Sequence, residues 1–340
     1  MKKQVLVLLI IMCIALLTGC YPDYPMESDV RSIEERSIPA SMYWLEARGT
    51  EASERAICLV GYDLERHVST RIVLEEGSER TIEEISMVET NHPGGVVAVA
   101  QLNSSDYEIY AFDEAGSFRS QYCGSVARFS SADALYDGVL YYCDGYQSYR
   151  RDLSTGKEDA LPDEIRLGGM CVSPDGGYFD CLKGEDDDQL VMRIVDGASS
   201  TSAEYEFPEG TKPDCRFAVW KDQNSVLLAI GLQIDRVSSE TRLYMLSDED
   251  GSLQPWQTEQ GEELVLDRTN AGLLVPDSLQ VDPSGKYISY MCYRSLAPSM
   301  YRNIDVYVQS LADGEKYLVD SILTGDGRYQ VEMCPMAVWG

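Results

Sequence analysis

One hairpin recurs along this chain, and no other feature of the sequence narrows the fold as far. It reads LVGYDLERHVSTRIVL from Leu59, EIYAFDEAGSFRSQYC from Glu108 and SYRRDLSTGKEDAL from Ser148. It returns as LVMRIVDGASSTSAEYEF from Leu190, RLYMLSDEDGSLQPW from Arg242 and DVYVQSLADGEKYLV from Asp305. Each copy is an apolar strand, a turn rich in Asp and Gly, and a second strand. Asp suits such a turn because its carboxylate can accept from its own backbone, and Gly because it tolerates positive φ. The turn aspartates Asp63, Asp113, Asp152, Asp196 and Asp248 lie 50, 39, 44 and 52 residues apart. Repeats of that length are sheet-sized units that bury their apolar faces only against one another. Turn residues fall every 8 to 12 positions and apolar runs of helical period are nearly absent, so the expected class is all-β.

A second motif precedes several of these hairpins. Cys171-Val172-Ser173-Pro174-Asp175-Gly176-Gly177-Tyr178 and Gln280-Val281-Asp282-Pro283-Ser284-Gly285-Lys286-Tyr287-Ile288 share one plan: strand, Pro-centred turn, Gly, aromatic, strand. Pro presets the φ of the turn and the aromatic opens the returning strand. Phe217-Ala218-Val219-Trp220-Lys221-Asp222 is a degenerate copy. These segments resemble the turn of TolB-like propeller repeats, relatives of the WD repeats, over most of 41–340. The resemblance implies a β-propeller. It implies nothing about activity, because the matching residues are architectural.

The chain stops at Met336-Ala337-Val338-Trp339-Gly340, repeating the Ala-Val-Trp of 218–220. Read as an innermost strand, it lacks three partners, and Ser41 to Leu45, Ala56 to Asp63 and Thr70 to Glu75 supply them from the other end. Pairing of N- and C-terminal strands would then close the ring and leave no open edge. Blades are expected near 41–75 with 329–340, 83–123, 126–161, 166–207, 213–256 and 276–322. That makes six, with seven as the alternative division of the length.

The first residues form a separate unit. Lys2 and Lys3 precede an uncharged apolar run, Val5 to Leu17, of 13 residues. It is too short for a hydrocarbon core needing ~20 residues, and it suits the h-region of a signal peptide. Leu17-Thr18-Gly19-Cys20 resembles the lipobox of bacterial lipoproteins. The resemblance implies a signal peptide over 1–19, diacylglyceryl attachment at Cys20, and a location on the extracytoplasmic side of the cell membrane. Two acyl chains meet the condition for stable anchoring. Residues 20–40, with three prolines and many charges, read as anchor and flexible tether, with at most one helical turn at SIEER. The propeller domain is expected over 41–340.

Charge excludes some partners. The chain has 28 basic and 57 acidic residues, a net −29; loss of Lys2 and Lys3 with the signal takes the mature form to −31. A nucleic-acid partner, which needs a basic footprint, is not expected. With 44% apolar residues and 22 tyrosines the chain can bury a core, so disorder is not expected either. Beyond Cys13 and Cys20, eight cysteines remain, at 58, 123, 143, 171, 181, 215, 292 and 334. Most sit in strand-like apolar runs, as small hydrophobes do. Buried thiols are preferred to a disulfide framework, which an exported chain also permits.

Catalytic constellations are scarce. His67 and His92 are the only histidines, both in expected turns, so neither a His-based triad nor a multi-histidine metal centre can be assembled in the usual form. No G-x-S-x-G elbow occurs, and Gly156-Lys157 lacks the frame of a phosphate loop. Glu185 to Asp188 and Asp248 to Asp250 lack the alternating ligand spacing of a calcium loop. No catalytic residue, metal site or cofactor is assigned.

If the domain binds something, the connections between second and third strands share one face with those between blades. Ala47 to Arg55, Gly231 to Thr241, Tyr293 to Asn303 and the interblade stretch Gln257 to Pro276 read as long loops there. Tyr293, Arg294, Tyr301 and Arg302 are the candidate contact residues, since Tyr and Arg are enriched at binding hot spots. The leading expectation is a monomeric, lipid-anchored envelope protein that binds a protein, small molecule or glycan. One alternative is a carbohydrate-active or other hydrolase or lyase with carboxylates in the central funnel. Another is an accessory or sensor lipoprotein of a transporter or signalling system.

Overall fold

The alternating hairpins fold as antiparallel strands. A computed structural model of the chain describes residues 30–48, 56–76, 82–91, 95–162, 170–173, 175–186, 188–196, 199–209, 211–222, 224–233, 239–247, 250–267, 278–293, 301–326 and 338–340. In chain order β1 (Arg31–Ser32) is followed by a short 3-10 turn at Ile33–Glu35, then β2 (Ser41–Arg48), β3 (Ala56–Asp63) and β4 (Val68–Glu76). Next come β5 (Glu84–Thr90), β6 (Val97–Gln101), β7 (Asp106–Phe112) and β8 (Phe118–Ser125). They precede β9 (Ser131–Tyr136), β10 (Val139–Cys143), β11 (Ser148–Asp152) and β12 (Glu158–Ala160). The next four are β13 (Met170–Val172), β14 (Tyr178–Lys183), β15 (Gln189–Asp196) and β16 (Ser199–Glu206). Then follow β17 (Lys212–Asp222), β18 (Ser225–Gln233), β19 (Ser239–Ser247), β20 (Leu253–Pro255) and β21 (Val265–Asp267). The last are β22 (Gln280–Val281), β23 (Tyr287–Tyr293), β24 (Tyr301–Ser310), β25 (Lys316–Asp326) and β26 (Val338–Trp339).

Among the described residues these strands group into six four-stranded antiparallel meanders. They are β26-β2-β3-β4, β5 to β8, β9 to β12, β13 to β16, β17 to β20, and β22 to β25, the second and third joined into one eight-stranded sheet by parallel pairing of β5 with β9, Glu89 opposite Ala134 and Thr90 opposite Leu135. Strand β21 adds to β19, and β1 pairs in parallel with β25. The innermost strands are neighbours in a cycle: β5 contacts β9, β9 contacts β13, β13 contacts β17, β17 contacts β22, and β22 contacts β26. Contact between β2 and β5 completes it. The fold is a β-propeller, closed as expected by antiparallel pairing of β26 with β2, Met42 opposite Trp339 and Tyr43 opposite Val338.

Burial explains why these sequences make these strands. A second strand is sandwiched between two neighbouring meanders, so both its faces are apolar; Ser225–Gln233 is buried at every position but the last. Its side chains alternate between two cores, as period two requires. Leu227 and Ala229 enter the cluster shared with β23 and β24, while Val226, Leu228 and Ile230 enter the cluster shared with β14 and β15. An outer strand such as Phe118–Ser125 has one wet face and alternates in burial accordingly. Each pair of consecutive meanders shares one apolar cluster, and the cluster holding Trp44, Met291, Val306 and Trp339 spans the closure. Each fully buried Leu or Ile in them contributes about 1.5–3 kcal/mol relative to exposure.

The Pro-centred turn at 282–285 is held by its own aspartate. The Asp282 carboxylate accepts from the backbone N–H groups of Ser284 (2.9 Å), Lys286 (2.7 Å) and Tyr287 (2.6 Å). In the sister turn the Ser173 hydroxyl accepts from the Gly177 N–H at 2.7 Å.

One expectation needs correction. Residues 20–40 read as a flexible tether, yet from residue 30 onward the chain is docked. Ile33 and Ile38 are each 2% exposed in the closure core, β1 extends the last meander beyond β25, and Arg31 pairs with Glu315 at 2.9 Å. Two isoleucines in a charged segment are enough to seat it, because the closure offers an apolar slot that no local pattern announces. Residues 1–29, Cys20 included, lie outside the described residues.

Candidate binding site at the mouth of the central channel

In a meander whose innermost strand runs toward one face, the first-to-second and third-to-fourth turns lie on that face. The remaining connections lie on the other. A cavity of about 530 Å³ opens at the first of these faces. It is lined by the ends of four innermost strands: Val88, Glu89 and Thr90 of β5, Trp220, Lys221 and Asp222 of β17, Gln280 and Val281 of β22, and Val338 and Trp339 of β26. The turn Asp282 to Gly285 and Gly95 complete the wall.

The two Ala-Val-Trp copies therefore place like residues at like positions, both tryptophans lining the cavity from different meanders. Trp220 donates its ring N–H to the Cys171 carbonyl at 3.3 Å. The Nε1 of Trp339 is buried without a hydrogen-bond partner among the described residues. An orphaned buried donor costs about 1–3 kcal/mol, so an acceptor reaching it would recover part of that.

Polar groups at the mouth are mostly engaged by their neighbours. Glu89 accepts from the Tyr136 hydroxyl at 3.0 Å across the β5/β9 boundary. Burial first, and the adjacent Glu89 second, hold that phenol far above its ordinary value. Thr90 donates to the Leu135 carbonyl at 2.8 Å. Asn91 and Asp137 clamp the adjoining turns reciprocally, each bond 3.0 Å long. Asp222 accepts from the Asn224 N–H (3.0 Å) and the Ser225 hydroxyl (2.6 Å), and pairs with Lys221 at 3.2 Å. Burial alone would raise the Asp222 carboxyl, but these hydrogen bonds outweigh it and hold the group below its usual range. Three carboxylates, Glu89, Asp222 and Asp282, thus face one cavity whose described lining carries no Arg, His or Tyr.

The contact residues expected from sequence lie elsewhere. Tyr293 ends β23, and Tyr301 and Arg302 begin β24, a second-to-third connection on the face opposite the cavity; Arg294 lies outside the described residues. The chain keeps pairing further into the expected loops than their composition suggests. Gly231 pairs with Thr241 and Gln233 with Ser239, Asn303 pairs with Leu323, and Val265–Asp267 forms β21 inside the interblade stretch. Arg128 stacks on the exposed Tyr146 on that same face, 4.8 Å from the ring centroid. Of the acidic clusters, Glu185 and Asp186 sit in the β14–β15 turn, and among the described residues no group of three or more His, Cys, Asp or Glu could hold a metal. His67 occupies the β3–β4 turn at φ 57°, outside the cavity lining; His92 lies outside the described residues. The signal for this cavity in the sequence is the Ala-Val-Trp repeat, whose two copies put a tryptophan near the same end of two innermost strands.

No family model matches the sequence, and no curated protein matches it. Among solved structures the chain is similar to a putative TolB from Agrobacterium tumefaciens, at 10% identity and a TM-score of 0.47, over 89% of this chain and 98% of that one. It is also similar to a chain of a mitotic checkpoint complex, at 12% identity and a TM-score of 0.40, over 87% and 88% of the two chains. A third likeness is to an acylaminoacyl peptidase from Pyrococcus horikoshii, at 10% identity and a TM-score of 0.41, over 84% of this chain and 51% of that one.

Proposed function

We propose that this chain is a lipid-anchored extracytoplasmic protein whose six-bladed propeller is a binding module for a protein or small ligand. The observation that carries the reading is the cavity at the channel mouth, walled by Trp220 and Trp339 and rimmed by Lys221, Glu89 and Gln280. A concave, largely preformed site with aromatic walls and a few polar groups is what ligand recognition uses. The carboxylates beside it are tied into turns and blade contacts, which suits fixed acceptors better than groups that must move a proton. Attachment at Cys20 follows from the lipobox resemblance and would hold the module at the membrane surface.

Thermal-shift screening of oligosaccharides and short peptides tests the site. Lys221→Ala should abolish the shift of any hit, while joint replacement of Tyr293, Arg294, Tyr301 and Arg302 by Ala should leave it intact. Loss in the quadruple variant alone would move the site to the opposite face and overturn the reading. Labelled fatty acid incorporated by the parent chain and absent from Cys20→Ser is the expected result for the anchor; equal labelling would sink it. A second reading, hydrolase or lyase chemistry at Glu89, Asp222 and Asp282, draws on their shared cavity. Turnover of a glycan hit, lost in Glu89→Gln, would favour it.

A further inference from the structure

The docked N-terminal segment joins the ring on the side of the cavity. Strand β22 runs toward the cavity face, since the turn that follows it, Asp282 to Gly285, lines the cavity. Antiparallel pairing then sends β23 away from that face, β24 toward it and β25 away again. The β24–β25 turn accordingly meets the β22–β23 turn there, the Leu311 N–H donating to the Lys286 carbonyl at 2.9 Å. Strand β1 is parallel to β25 and meets it near its start, Arg31 opposite Tyr317 and Ser32 opposite Leu318. The chain therefore enters β1 from the cavity side. It stays on that rim as it crosses to the first meander. Arg36 donates to the Tyr287 hydroxyl at 3.2 Å, and the Ile38 N–H donates to the Leu64 carbonyl, in the β3–β4 turn, at 3.3 Å.

We propose that the lipid on Cys20 holds the propeller with its channel mouth toward the bilayer, where the cavity receives a basic extracytoplasmic segment of a neighbouring membrane protein. The inference rests on the anchor reading and adds to it an orientation and a partner. Reach decides the orientation. Cys20 precedes Val30 by ten residues (30 − 20), which span at most about 33–36 Å when fully extended. A bilayer on the opposite side would require those residues to run back along the outer blade flank. From Tyr317 to the end of β25 at Asp326 is nine residue steps, about 30 Å at ~3.3 Å per residue. That takes up nearly the whole reach before any acyl chain is seated, whereas a bilayer on the cavity side requires no such return. Charge decides the partner. The cavity lining sets Glu89, Asp222 and Asp282 against Lys221, a formal −2 (1 − 3), on a chain of net −29. Such a surface is repelled by anionic lipid headgroups and steers in Lys or Arg side chains. Sharing one bilayer raises the effective concentration of the two partners.

The lipidated full-length chain is reconstituted in phosphatidylcholine vesicles bearing an acceptor dye on their headgroups. Azidophenylalanine is introduced at Asn224, exposed in the β17–β18 turn of the cavity face, or at Tyr146, 77% exposed in the β10–β11 turn of the opposite face, and carries the donor dye. Energy transfer to the bilayer should be several-fold stronger from position 224. Equal transfer, or stronger transfer from 146, in a chain that carries the diacylglyceryl mass would overturn the inference alone. A parent chain without that mass would overturn the anchor reading and the inference with it. For the partner, the same vesicles carry a lipid-linked oligolysine peptide, and the undyed azide is photoactivated. Cross-links to the peptide should form from position 224 and not from 146, and should fall several-fold when Glu89→Gln and Asp222→Asn are combined. Peptide cross-links of equal yield from both positions, or in the double variant, would overturn the assignment of the cavity. Cross-links from 224 to phosphatidylglycerol in peptide-free vesicles would make the occupant a lipid headgroup and overturn the partner.

Discussion

Val338 faces Tyr43 across the antiparallel ladder of β26 and β2, two residues from opposite ends of the domain in register within one sheet. Val338 is 4% exposed, and Trp339 beside it packs with Trp44 and Met291 in the closure core. The ring therefore depends on two residues of β26, the shortest innermost contribution along with β22.

Val338→Asp should destabilise the domain by about 3–5 kcal/mol, because it buries a charge with no partner in the seam. Tyr146→Ala, at a side chain 77% exposed, should stay within about 0.5 kcal/mol. Urea denaturation followed by tryptophan fluorescence reads both. Equal midpoints would mean that the seam does not hold the ring.

Two glycines separate backbone strain from close approach. Gly95 has φ +67°, and a Cβ there would meet the Trp339 carbonyl oxygen at 2.6 Å. Gly138 has φ +77° with nothing within 4 Å of such a Cβ. Gly138→Ala should cost about 1 kcal/mol, the left-handed conformation alone. Gly95→Ala should cost more, about 2–4 kcal/mol, since the neighbour is backbone at the closing strand and cannot rotate away. Parallel denaturant titrations decide it.

Acid should weaken the fold through its turns. Asp113 lies below its usual pKa chiefly through the backbone N–H of Ser117, Asp152 chiefly through the Ser154 hydroxyl, and Asp250 chiefly through the backbone N–H of Ser252. A carboxyl depressed in the folded state stabilises fully above the unfolded value, ~3.9 for Asp. That stability is lost as pH falls through the lower folded value. Denaturation midpoints should therefore hold from pH 7 to about pH 5 and fall below about pH 4. Relief of repulsion among 57 acidic residues acts in the opposite direction, so the diagnostic is the variant: Asp152→Asn should show a shallower acid decline than the parent. An unchanged slope would remove the turn from the account.

The pair Arg193–Asp180, 2.7 Å long with Asp180 8% exposed, should matter more than its exposed counterparts. Removing one member of a largely buried ion pair leaves the other poorly compensated. Asp180→Ala should cost about 2–4 kcal/mol, against less than about 0.5 kcal/mol for Asp159→Ala, whose partner Lys157 is 72% exposed. A double-mutant cycle with Arg193→Ala gives the coupling.

Much of the architecture was legible because it is local. The Asp-Gly turns, the Pro-centred turn at 282–285 and the period-two strands each state their own geometry within a dozen residues, and closure could be read because Ala-Val-Trp occurs twice. The docking of Ile33 and Ile38 was not legible: nothing near them names the slot they fill. Strand ends were also misplaced, at Gly231 to Gln233 and Tyr301 to Asn303, since a ladder partner can carry pairing into residues whose own composition suggests a loop.

By itself, the sequence determined that this chain builds repeated antiparallel sheets and joins its ends, because hydrogen bonds in turns and alternation along strands act between near neighbours. Only the tertiary structure decided that Trp220 and Trp339 line one cavity and that Glu89 meets Tyr136. Those meetings depend on how each sheet turns against the next, and that angle is set by the summed packing of six shared cores rather than by any segment alone.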